Sequence, residues 1–118
     1  MAENKHAGEV PVTLAGKSMV LRPSFQAQCE AEALCGFGVV TLLNRFMQKQ
    51  FGIREVAAVI FAGLKHGSEQ GQNITYEAVG EKIAAAGIAS VTGAYGKFLE
   101  NAVAGGQEPK QGEAEAEA

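Results

Sequence analysis

The sequence predicts an α+β domain: an N-terminal β-hairpin packed on a bundle of about five short helices, followed by a disordered acidic tail. Three observations predict it. Apolar residues alternate as far as Leu21 and afterwards recur every three or four residues, the change from strand to helix periodicity. That change falls on Leu21-Arg22-Pro23-Ser24-Phe25, where Pro23 cannot extend a strand ladder and Ser24 can cap a helix. Finally, 118 residues of which 47% are hydrophobic suffice for one core and are too few for two domains. The expected organisation is a disordered N-terminus over 1–7, one domain over 8–104 and the tail over 105–118.

Each element follows in order. Val10, Val12 and Leu14 alternate with Pro11 and Thr13, and Met19 and Leu21 alternate with Ser18 and Val20. A two-residue turn at Ala15-Gly16 pairs Leu14 with Lys17, Val12 with Met19 and Val10 with Leu21, which gathers the apolar side chains on one face. Pro11 then requires an open strand edge. Because two strands are not stable alone, the hairpin must cover helices.

The first helix, Ser24 to Cys35, is expected to turn Phe25, Cys29 and Ala33 to one side, with Phe25 anchoring it and Gly36 as its C-cap. The second, Val39 to Lys49, has the cleanest stripe in the chain: Val39, Leu42, Leu43, Phe46 and Met47. The third, Arg54 to His66, is apolar nearly all round, and such a helix is either central or part of an interface. A solvated loop, 67–73, precedes a helix from Tyr76 to Ala86 capped by Thr75, with Tyr76, Val79, Ile83 and Ala84 inward. The last helix, Ala89 to Ala104, points Val91, Tyr95, Phe98, Leu99 and Ala102 inward. Its Gly93 and Gly96 are expected to share a face open to another backbone.

Composition narrows the function. Residues 1–104 hold nine Lys/Arg and nine Glu, so the tail carries the whole net charge of −3. A neutral body without a basic stripe speaks against nucleic-acid binding. No apolar run is long enough for a membrane span, and Met1 to Gly8 lacks the apolar centre of a signal peptide, so a cytoplasmic protein is expected. The chain has no Asp, no P-loop and no metal-binding spacing. Cys29 and Cys35 are too far apart along one helix for a disulfide and read as buried or half-buried thiols. His6 and His66 lie at a chain end and a helix end, and Glu30 and Glu32, two apart, do not face each other. We therefore expect no enzyme, no cofactor and no metal.

Two binding readings survive. A helix-turn-helix over Thr75 to Asn101 would bind DNA, but its second helix offers Lys97 as its one cation. A protein-interaction module would use Phe61 on the barely polar side of the third helix, the aromatic Phe37 between two glycines, and the open strand edge beside Pro11.

Leu21-Arg22-Pro23-Ser24-Phe25 after a hairpin resembles the gene-transfer-agent family of small phage tail proteins, related to tail assembly chaperones. Arg54-Glu55-Val56-Ala57-Ala58-Val59-Ile60 with Ala62-Gly63-Leu64, and the Val79 to Ile88 helix ending in Ala-Gly-Ile, extend the likeness over roughly Gly8 to Gly105. The resemblance implies a tail assembly chaperone that coats the tape-measure protein while tail tube subunits polymerise, and then leaves. Its implied partners are the tape-measure and tail tube proteins and further copies of itself, with neither nucleic acid nor membrane. The alternative is a structural component of the tail tube. Within the corner motif, Arg22 is expected to cap a helix C-terminus or pair with a Glu.

Overall fold

The computed structural model describes residues 8–67 and 73–105. The expected disorder of 1–7 and most of the acidic tail and of the 67–73 loop lie outside the described residues. The order of elements is β1 (Val10–Leu14), β2 (Lys17–Leu21), α1 (Phe25–Cys35), α2 (Val39–Met47), α3 (Ile53–Lys65), α4 (Tyr76–Ala86) and α5 (Ala89–Ala104). This is the expected α+β arrangement.

The hairpin has the predicted antiparallel register, Val10 opposite Leu21, Val12 opposite Met19 and Leu14 opposite Lys17. Its turn residues both have positive φ, 54° at Ala15 and 80° at Gly16, which defines the turn whose twist matches the strands. Counting back from the turn, Pro11 falls in a pair without ladder hydrogen bonds, so its missing N–H is on the outer edge. Val10, Val12, Leu14 and Leu21 are buried. β1 lies against α5, and the side chain of Asn101 donates to the Gly8 carbonyl at 2.9 Å. β2 lies against α3.

Ser24 caps α1 as expected, its hydroxyl accepting from the Ala27 N–H at 3.1 Å, and Gly36 closes it with φ 84°. The buried side is another matter. Ala27 and Ala31 face α3, whereas Phe25 is 80% exposed and Cys29 and Ala33 are exposed. Two alanines four apart let the helices approach closely, which no Phe at that contact would permit. Phe25 therefore anchors nothing in the core, and Cys29 is a surface thiol. α2 lacks a capping side chain of its own at Gly38, and Glu32 of α1 replaces it by accepting from the Val39 N–H at 2.9 Å.

α3 is the axis of the fold. It packs against α1, α4, α5 and β2, and every residue from Glu55 to Leu64 is buried. Of the two possibilities for a helix apolar all round, central is the one realised. Gly63 makes this tight: a Cβ there would stand 2.9 Å from the Cβ of Leu21 and 3.1 Å from the Phe98 ring. Its carbonyl also accepts from the Arg22 N–H at 3.1 Å. The corner after β2 is thus tied to α3 by backbone, and the Arg22 side chain is exposed rather than capping a helix. On α4, Val79 and Ile83 are buried while Ala84 is exposed; on α5, Val91, Tyr95, Phe98 and Leu99 are buried. Gly96 receives the ring of Phe46, and Gly93 faces open space, so the two glycines do not form one approach face.

Candidate interaction surface

Phe61, expected on an exposed face, is 6% exposed and belongs to the core cluster. Its ring lies 6.1 Å from that of Tyr76, and the Lys65 ammonium sits 5.7 Å from its centroid. The sequence reading failed here because α4 covers that side of α3, a contact that no pattern within α3 encodes.

Phe37 is half-buried and fixed rather than loose. The Arg45 guanidinium lies 4.3 Å over its ring, and the Cys35 thiol approaches the Phe37 carbonyl at 3.8 Å. Burial is the first influence on Cys35 and raises its pKa. Arg45 in turn makes a two-pronged contact with Glu55 of α3, Nε to Oε2 and Nη2 to Oε1, both at 2.9 Å. Glu55 is the one buried charged side chain among the described residues. The hydrogen bonds that Arg45 donates to Glu55 raise the pKa of Arg45 further. Next to this pair Phe46, Phe51 and Tyr95 form an aromatic cluster with centroids 5.5–5.8 Å apart. The Tyr95 hydroxyl is buried without a hydrogen-bond partner among the described residues, and burial, then the charge of Glu55, drives its pKa upward.

A second polar junction joins α1 to the end of α3. Glu30 accepts from Lys65 at 3.1 Å and contacts His66 Nε2 at 2.9 Å. Burial alone would raise the Glu30 pKa, but the hydrogen bonds and charges of His66 and Lys65 together outweigh it and hold the carboxyl below its ordinary value.

Pro11 is exposed on the outer face of β1, and among the described residues no third strand pairs with that edge. The structure thus separates the three residues singled out from the sequence: Pro11 is at the surface, Phe37 is in a half-buried stack and Phe61 is in the core. The sequence reading missed the exposed apolar side chains of α2. Val40 and Met47 are 59% and 64% exposed and share a face through Leu43. The stripe was visible in the sequence, but which part of it the body covers was not. Among the described residues no group of three or more metal-ligating side chains gathers, and no helix is long and apolar enough to cross a membrane.

A family model described as phage tail tube protein, GTA-gp10, matches residues 7–105, and the chain belongs to that family. The match covers the described body from before β1 to the end of α5. No curated protein and no solved structure matches the chain.

Proposed function

Taking that membership as the premise, we propose that the chain acts at the tail tube of a phage-like particle or gene transfer agent. The observation that carries this reading is the family match over nearly the whole folded body. Its description names a tail tube protein, and it supports a tube component better than the assembly chaperone expected from the sequence. As a component, the chain works by non-covalent association with other tail proteins and carries no chemistry.

The chaperone remains the second reading because one observation favours it. The described residues contain a single two-stranded sheet beside five helices, whereas the family resemblance implies tube subunits built mainly on β-sheet. On that reading the clients are the tape-measure and tail tube proteins, masked reversibly by apolar helix surface. On either reading the surfaces offered to partners are the strand edge at Pro11 and the face of α2 bearing Val40 and Met47.

Quantitative mass spectrometry of purified particles and of the assembling lysate tests this. A fixed, stoichiometric amount in finished tails supports the component. Binding to the tape-measure protein in the lysate, with loss from finished particles, transfers the assignment to the chaperone. Absence from both refutes a role at the tube.

A further inference from the structure

We propose that the acidic end of the chain, residues 113–118, docks in cis into a cleft of its own body between the hairpin turn and α4. The cleft has a volume of about 330 Å³. Leu14, Met19 and Ile74 supply its apolar lining, and Lys17 and Lys82 its cations. Neither lysine has a carboxylate partner among the described residues, whereas Arg45 and Lys65 are paired with Glu55 and Glu30.

The candidate occupant is complementary in two respects. Residues 105–118 hold four Glu and one Lys, and the body is neutral. The last six residues alternate Glu113, Ala114, Glu115, Ala116, Glu117, Ala118. In an extended chain that alternation puts carboxylates on one side and methyl groups on the other. Small methyl groups suit a shallow apolar floor, and long lysine side chains at its rim can reach carboxylates above it.

The tether is long enough. From Gly105 the path runs back one turn of α5 to Asn101, crosses its hydrogen bond to Gly8, and follows β1 to Leu14. At about 1.5 Å per helical residue and about 3.4 Å per strand residue, this path is at most about 35 Å. The eight residues from Gly105 to Glu113 span about 27 Å when extended and the twelve to Glu117 about 40 Å, so the segment lies along the last stretch of that longest path and its far end enters the cleft. A tethered tail meets the cleft within its own molecule, so an acidic segment from another molecule must compete with it. The tail then acts as a built-in competitor for the cleft. This inference stands whichever role at the tail tube is correct.

Amide NMR on the full chain tests it. The wild type is compared with a variant carrying Glu113→Gln, Glu115→Gln and Glu117→Gln. The expected result is shifts concentrated at the amides of Lys17, Met19, Ile74 and Lys82. They should fade at about 0.5 M salt, where screening shortens the reach of charge to a few ångströms. Lys17→Glu with Lys82→Glu, both exposed positions that leave the core intact, should abolish the tail-dependent shifts in the same chain. No shift at those amides, or shifts centred elsewhere, overturns the proposal. Shifts that emerge only on raising the protein concentration assign the cleft to the tail of a second copy and overturn docking in cis.

Discussion

Helices α2 and α3 are both rich in apolar residues, and the structure uses them in opposite ways. On paper α2 has the clean one-sided stripe and α3 the ambiguous, nearly unbroken one. In the fold α3 is buried over ten consecutive residues, while of α2 only Leu42 is fully buried and Met47 stands out into solvent. Periodicity sets the direction in which a helix faces its core. It does not set how deeply the helix lies, because depth depends on what packs on the remaining sides. α3 is enclosed by α1, α4, α5 and β2, whereas α2 leans chiefly on α5.

The largest test of this contrast is Phe61→Glu. A carboxylate placed among the core residues of α3 should cost on the order of 4 kcal/mol or more, much of the stability of a small domain. Circular dichroism should show loss of helix or a steep fall in melting temperature. A folded, stable variant would mean that α4 does not cover that side of α3.

The two helices are linked by Arg45 and Glu55, and a double-mutant cycle probes the link. Arg45→Met strands a buried carboxylate and should destabilise clearly in urea melts. Adding Glu55→Met removes the stranded charge and should restore part of the loss. If the double variant is as unstable as the sum of the singles, the pair is not coupled as the geometry indicates.

At its other end α3 is fastened to α1 through Glu30. The folded-state pKa of Glu30 is lowered, so its contribution is present above the ordinary value near 4.5 and is lost as pH falls through the lowered value. Glu30→Gln should therefore melt below the wild type near neutral pH, and the gap should close as pH drops below about 4.5. A gap that persists in strong acid would assign the effect to packing instead.

The end of α2 offers a smaller effect, in the stabilising direction. Lys49 has φ 60°, its N–H donates to the Phe46 carbonyl at 3.0 Å, and the Gln50 N–H donates to the Arg45 carbonyl at 2.8 Å. This is the left-handed helix ending that glycine favours. Lys49→Gly should stabilise by about 0.5–1 kcal/mol. Smallest of all, Met47→Ala should change stability within about 0.5 kcal/mol, because the side chain is largely solvated. If that face of α2 meets a tail partner, as proposed, the same variant should lower incorporation or client binding while leaving melting unchanged.

Most of the fold was legible in the chain because its signals are local. Alternation before Leu21, helical spacing after it, Ser24 and Thr75 at N-caps and Gly36 at a C-cap placed every described element within a few residues. The hairpin register followed from matching faces across a two-residue turn. The family likeness rested on the order and spacing of short motifs in that same body, and the match over 7–105 upholds it.

What tertiary structure alone decided was which apolar residues are covered. Ala27 and Ala31 turn inward and Phe25 outward because α1 approaches α3 through small side chains. Phe61 is core because α4 lies over it. Gly63 and Gly96 are contact points because Leu21 and Phe98, and Phe46, pack onto them. A single sequence records the period of each element but not the neighbours assembled around it, and burial depends on those neighbours. Phe25, Val40 and Met47 stay exposed because no described element packs over them.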